Sequence, residues 1–372
     1  MDPETLRADI PALDDATYLN TGASGPSPER VVEAAEAALE RHEYEAHATE
    51  NPYVSAAELF DDARERLAAH LDTDPSSVAL TQSTTDGVNR IATAIDWEPG
   101  DVVVRTDVEH AAGVLPWRRL RDSHGVRTRV VPTTGGRIDR AAYREAVADA
   151  RLVCLSALTW THGTRLPVAD LVDEAHDAGA EVLVDAVQVP GQAPMPVESW
   201  GADYVAAAGH KWLCGPWGAG FLYVDPDAAE RLEPLQVGYR SVRDPEGAGY
   251  EFHPGARRLE VGTVSPGPHA GLMEALDVVE EVGLDAIRDR IDALTERFVD
   301  GLADDRLLGP DTPESGLVAF ESDDPEALVA GLRERGVVVR ALPTGAVRAS
   351  FHVFNTAEDV ERLLTAMADV EN

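Results

Sequence analysis

Lys211 is the only lysine among 372 residues, and the other 31 of the 32 basic side chains are arginine. A guanidinium supplies charge and hydrogen bonds as well as an ammonium does. It cannot readily shed a proton to become a nucleophilic amine. A lysine kept against so strong a bias is kept for amine chemistry, namely attack on a carbonyl to form a Schiff base. It lies in Ala-Gly-His-Lys-Trp-Leu-Cys-Gly-Pro, residues 208–216.

Schiff-base lysines serve pyridoxal phosphate, and that cofactor makes further demands on a chain. Its ring nitrogen needs a carboxylate to stay protonated, so that the ring can accept electrons. Asp185, directly after the apolar run Glu181–Val184, is placed for that role, and Gln188 three residues on could donate to the ring's phenolic oxygen. The phosphate needs backbone N–H groups at a helix start, with hydroxyls beside them. Ser83, Thr84 and Thr85 immediately precede an apolar-periodic stretch and offer both. His110, in Val-Glu-His-Ala-Ala, could lie over the ring face and help move protons. The sequence holds no His-Glu-x-x-His and no paired-cysteine spacing, so a metal site is not expected.

These residues need a scaffold that brings them together. The middle of the chain alternates short apolar runs with amphipathic stretches, the pattern of a sheet wrapped by crossover helices. Strands are expected at Val102–Arg105, Leu152–Leu155, Val182–Val184, Tyr204–Ala207 and Gly220–Val224. Helices are expected at Gly87–Ile95, Val114–Arg121, Arg140–Ala148 and Val168–Ala178. In an open α/β sheet ligands sit beyond the carboxyl ends of strands, and the polar candidates cluster there. After the Pro/Gly-rich stretch 254–268 a helical region, His269–Leu302, leads into a smaller α+β pattern through Gly316–Met367. The expected division is an N-terminal segment 1–15 packing near the small domain, a large cofactor domain 16–262, and a small domain 263–372.

Net charge is −35, from 67 acidic against 32 basic residues, and the acids are scattered through every segment. Such a lysine-poor, acid-rich chain points to a protein of high salt, where counterions screen its self-repulsion. Nucleic-acid backbones and anionic membranes should be repelled. No apolar run approaches membrane-spanning length and Met1–Ile10 lacks a signal-peptide pattern, which reads as soluble and cytoplasmic. The two cysteines, Cys154 and Cys214, are too few for a disulfide framework and are expected to be reduced.

The ordered set Tyr-Leu-Asn-Thr-Gly (18–22), Ser-Thr-Thr (83–85), Glu-His (109–110), Pro-Trp (116–117), Asp-Ala-Val-Gln (185–188) and Gly-His-Lys (209–211) continues. It runs on through Glu-Val-Gly-Thr (260–263) and Val-Arg-Ala-Ser-Phe-His-Val-Phe-Asn (347–355). It resembles the class V aminotransferases, pyridoxal phosphate enzymes that share the aspartate aminotransferase fold. The resemblance implies a mostly parallel seven-stranded sheet between helices, with a smaller C-terminal α+β domain. It implies that His110 stacks on the cofactor, that Thr84 and His210 hold its phosphate, and that Thr263 reaches the phosphate from the partner subunit of a homodimer. Arg348 would bind the α-carboxylate of an amino-acid substrate, with Asn20 and Trp160 on the same side.

Departures from the family pattern bear on the reaction. Desulfurases of the best-known group carry a reactive cysteine on a loop shortly before the carboxylate-binding arginine. Here only Ala341–Val347 separates Arg340 from Arg348, without a cysteine. Trp160 stands where those enzymes usually have asparagine, and Ala208 where a phosphate-binding serine is common. The opening motif, Trp160 and His-Lys-Trp-Leu-Cys-Gly-Pro are more similar to the branch containing isopenicillin N epimerase. Lys211 would take the substrate α-proton, after which transamination, epimerisation and β-elimination diverge. Transamination or epimerisation is the leading expectation. Elimination of the cysteine or selenocysteine lyase type without the loop cysteine is the alternative, and a non-catalytic cofactor-binding protein is a third reading.

Overall fold

The computed structural model describes residues 1–303 and 305–371. Seven strands form its central sheet: β1 (Val78–Thr81), β2 (Val102–Thr106), β3 (Arg127–Val131), β4 (Leu152–Ser156), β5 (Glu181–Asp185), β6 (Tyr204–Ala208) and β7 (Gly220–Val224). Their spatial order is β1-β7-β6-β5-β4-β2-β3, and every pairing is parallel except those of β7 with its two neighbours.

β4 to β7 are buried along their whole length, which is why they read as unbroken apolar runs rather than alternating ones. Alternate residues feed two cores. Val153, Leu155, Val182, Val184 and Phe221 join one face, and Leu152, Cys154, Leu183, Tyr204 and Leu222 join the other. Helices α1 (Glu29–Glu40), α2 (Pro52–Leu71), α3 (Thr84–Ala94), α4 (Leu115–His124), α5 (Arg140–Val147) and α6 (Val168–Asp177) belong to this part of the chain. The edge strand β3 is largely exposed and carries Arg127, Thr128 and Arg129, so no apolar run announces it.

The helical region after residue 266 is two helices, α7 (Gly267–Val282) and α8 (Leu284–Asp300), divided where Gly283 takes a φ of +87°. α7 packs on α1 and α2, and its Leu272, Ala275 and Leu276 enter the large core. α8 packs instead against α10 (Ala357–Glu371). Beyond it lie β8 (Leu317–Glu321), α9 (Pro325–Glu334), β9 (Arg340–Ala341) and β10 (Ala346–Ser350). β8 and β9 flank β10 in an antiparallel sheet with its own core of Phe298, Phe320, Phe351 and Leu363. The N-terminal segment lies between the two bodies. Leu6 and Ile10 pack into the large core, while Arg7 forms an ion pair with Asp359 of α10 at 2.9 Å. Among the described residues no helix is long and apolar enough to cross a membrane.

Candidate active site

Asp185 closes β5, opposite Ser156 of β4, and its Oδ1 accepts the Val187 amide at 3.0 Å. Burial pushes this carboxyl upward, while the Val187 N–H and the positive charges of Lys211 and His110 pull it back. Lys211 follows the end of the next strand, β6, so two adjacent parallel strands bring carboxylate and amine to one edge. The amine has no hydrogen-bond partner among the described residues. Burial depresses it to about 7; Asp185 opposes that, and Arg348 and Arg340 add to it. The backbone at Lys211 is held closely: Gly25 donates to the His210 carbonyl at 2.8 Å, and a Cβ at Gly25 would lie 2.0 Å from the Lys211 carbonyl oxygen. Only glycine permits that approach.

The phosphate-cup candidates sit at the start of α3. Ser83 is its N-cap and accepts from the Asp86 amide at 3.1 Å, so its hydroxyl is already committed as an acceptor. Thr84 is buried and its Oγ1 has no partner among the described residues, a donor left free at a helix N-terminus. Thr85 is exposed. Gly220 of β7 passes beneath, where a Cβ would meet Ser83 N at 2.9 Å. The nearby Asp86 carboxylate is neutralised by Arg90 at 2.8 Å and accepts the Gln82 amide at 2.9 Å, which limits its repulsion of an incoming anion. His210 is half-buried, 5.5 Å from the Trp217 ring, and burial followed by Lys211 lowers its imidazole to about 4. It is therefore neutral at pH 7 and can contact a phosphate as a hydrogen-bonding group without a full charge.

His110 caps a short turn after β2, with its Nδ1 accepting the Ala112 amide at 3.3 Å. Its ring meets Trp160 edge-on, 5.3 Å between centroids, and remains exposed. Partial burial and then Lys211 lower its pKa. Glu109, which motif reading passed over as a group in its own right, anchors this turn. Thr106 and Ser156 hydroxyls each donate to it at 2.6 Å, and burial raises its carboxyl to about 7.

The remaining candidate, Arg348, is delivered by β10. This guanidinium is fully buried; Nη1 donates to the Trp160 carbonyl at 2.7 Å, while Nε and Nη2 have no partner among the described residues. Burial, and then Arg340, lower it to about 9. Asn20 bridges to Ser350, and the Asn20 Oδ1, Ser350 Oγ and Trp160 Nε1 atoms are likewise buried and unpaired. Two neighbouring polar candidates are placed differently. Gln188 is braced by the protein: its amide donates to the Gly22 carbonyl at 2.9 Å and its oxygen accepts from Trp212 Nε1 at 2.7 Å, leaving one N–H for a ligand. Thr263 is not gathered with the others. It is exposed in a separate cleft of about 680 Å³ and shares a 3.1 Å hydrogen bond with Tyr239.

Both cysteines are buried. Burial pushes the Cys214 thiol up to about 12 and lifts Cys154 well above the ordinary range. The span from Arg340 to Arg348 is a tight hairpin, in which Gly345 (φ +83°) donates to Leu342 at 3.0 Å and Leu342 donates to Ala346 at 2.8 Å. It has neither a thiol nor the length for a mobile loop.

An unpaired amine, a buried carboxylate one strand away, a free hydroxyl at a helix start and an exposed imidazole face fit pyridoxal phosphate. Fold and site together define a pyridoxal phosphate enzyme. A family model described as aminotransferase class-V matches residues 17–363, and the chain belongs to that family. It is 32% identical to a probable cysteine desulfurase of Methanothermobacter thermautotrophicus, with 100% of this chain and 98% of the relative covered. It is 33% identical to isopenicillin N epimerase of Streptomyces clavuligerus over 94% and 93% of the two chains. The cystine C–S lyase C-DES, in complex with its reaction product cysteine persulfide, superimposes with a TM-score of 0.88 at 28% identity, covering 97% of this chain and 99% of the other. Another structure of that lyase holds glycine covalently linked to its pyridoxal phosphate. Pyridoxal phosphate is the cofactor of this enzyme.

Proposed function

We propose that the enzyme cleaves the Cβ–S bond of a sulfur-bearing amino acid by β-elimination, releasing the sulfur to solution without passing it to a cysteine of its own. The carrying observation is the tight Arg340–Arg348 hairpin together with two buried, protonated thiols. A desulfurase route through an enzyme persulfide needs an accessible thiolate, and neither cysteine supplies one. The relatives named as desulfurases and the cystine C–S lyase move elimination ahead of transamination, and the lyase's reaction product is cysteine persulfide.

Bound pyridoxal phosphate supplies an electron sink for the carbanion at the substrate Cα. Arg348 grips the α-carboxylate through its free Nε and Nη2, the paired geometry that suits a guanidinium. Lys211, depressed to about 7, is largely an amine above neutral pH and takes the α-proton. Asp185 stabilises a proton on the ring nitrogen, Thr84 and His210 hold the phosphate, and the exposed His110 ring provides a stacking surface. The Cα–H and Cβ–S bonds break, and the thiol departs with the C–S electron pair and a proton. Water then hydrolyses the released enamine to pyruvate and ammonium. The test is a product assay with cystine, cysteine and S-substituted cysteines. Stoichiometric pyruvate and thiol or persulfide are expected, and keto acid formed with transfer of the amino group, or inversion at Cα without pyruvate, overturns the reading. Epimerisation is the second reading, favoured by the 33% identity to isopenicillin N epimerase.

The active unit in this proposal is a homodimer, with Thr263 completing the partner's phosphate site. Its exposure away from Lys211, beside the exposed Tyr53 and Tyr239, supports this. A monomer that retains full activity overturns it. The charge of −35 supports a cytoplasmic protein of a high-salt cell, whose melting temperature rises with KCl into the molar range. Maximal stability in dilute buffer overturns that.

A further inference from the structure

Arg340 and Arg348 are directly opposed on the antiparallel strands β9 and β10. Opposed residues in such a pair project from the same face of the sheet, and like charges placed so are destabilising. Among the described residues no carboxylate lies within ion-pair distance of either guanidinium. Other arginines, such as Arg30, Arg66 and Arg231, make ion pairs at 2.5–2.9 Å. Arg340 instead lies over the Trp160 indole, its Cζ 5.7 Å from the ring centroid, while Arg348 is tied to the Trp160 carbonyl. Trp160 thus contacts both guanidiniums, Arg340 through its ring and Arg348 through its backbone carbonyl, and its ring also meets His110 edge-on. Asp185 faces Lys211 and Glu109 is held by the Thr106 and Ser156 hydroxyls, so neither carboxyl of the cofactor end pairs with Arg340 or Arg348. Two free donors of Arg348 and the unpaired Trp160 Nε1 also point to missing acceptors.

One α-carboxylate satisfies Arg348 and leaves Arg340 uncompensated. We propose that Arg340 is a specificity residue that binds a second anionic group, so that the natural substrate is an amino acid whose side chain, beyond the β-sulfur, carries a carboxylate or similar anion. The proposal rests on the sulfur-amino-acid reading for the position of that group, and on the arginine pair alone for the need of it.

The test compares S-carboxymethyl-L-cysteine with its neutral near-isostere S-carbamoylmethyl-L-cysteine on the holoenzyme. Affinity is read from the change in cofactor absorbance on binding, which requires no turnover. The carboxylate compound binds about tenfold or more tightly, the size of a charge-assisted contact. In Arg340→Gln the ratio of the two affinities falls to about one, and in Arg340→Lys a preference persists because the charge remains. A wild-type ratio near one overturns the proposal. So does an unchanged ratio in Arg340→Gln, including the case where both compounds weaken by one factor, since Arg340 then serves the α-carboxylate. Should Arg340→Gln fail to fold, the wild-type and Arg340→Lys ratios decide. If the ratio behaves as expected while neither compound yields pyruvate, the lyase reading fails and the second-anion site stands.

Discussion

The two ends of the site solve different problems with different parts of the chain. At the cofactor end Asp185, Lys211 and Thr84 sit at the ends of buried strands or at the start of α3, each fixed by backbone contacts of the large body. At the substrate end Arg348 and Arg340 come from the small antiparallel sheet, Trp160 from a loop after β4, and Asn20 from an N-terminal segment. The first end balances its charges internally, with a carboxylate facing an amine. The second holds guanidiniums with no acidic partner among the described residues, one of them completely buried. Chemistry common to a family of reactions is thus built into the rigid sheet. In the proposed reading, selectivity is held as unmet hydrogen-bonding and charge demand on the small sheet and the loops around it.

The largest effect expected is at the cofactor end. Lys211→Ala should lower turnover by at least about 10³-fold and abolish the covalent label left on the chain by borohydride reduction of the holoenzyme, as read by peptide mass. Turnover within tenfold of wild type would remove Lys211 from the centre of the site. At the substrate end Arg348→Met should raise KM for the preferred amino acid by about 10–100-fold, the worth of charge-assisted hydrogen bonds. The same change relieves an unpaired buried charge, so the melting temperature of the cofactor-free protein should stay level or rise. Destabilisation with an unchanged KM would make Arg348 a structural residue and erase the contrast between the two ends. The smallest effect is in pH. With its folded pKa depressed to about 7, the Lys211 amine gains its reactive neutral form as pH rises through neutrality. The rate at which the cofactor-free protein captures pyridoxal phosphate should climb about tenfold from pH 6 to 8 and then level off. A rate still rising toward pH 10 would mean that burial does not depress this amine.

The placement of the cofactor-end candidates was largely legible from the residues, because each follows an apolar run or opens a helix. The five apolar runs chosen as strands are β2, β4, β5, β6 and β7, each within a residue at its ends. β1 and β3 escaped that choice, the first because it is short and the second because its exposed edge tolerates arginine. α2 also escaped it, since its inner face includes Arg64, whose buried guanidinium meets Glu260 at 2.9 Å and breaks the apolar stripe. The double bracing of Gln188 and the commitment of the Ser83 hydroxyl as a cap depend on neighbours distant in sequence or on backbone geometry. Arg340 left a readable trace that the motifs overshadowed. A turn at Pro343-Thr344-Gly345 centres the segment on residue 344 and makes 340 and 348 opposite.

The sequence by itself determined the cofactor, because amine chemistry admits lysine alone and the chain keeps one. It also settled the fold class, since buried parallel strands must be written as apolar runs. Only the tertiary structure decided the balance of charge at the substrate end. Whether two arginines are partners, rivals or strangers depends on strand register and on which carboxylates lie within reach. Neither is a property of any single stretch of chain.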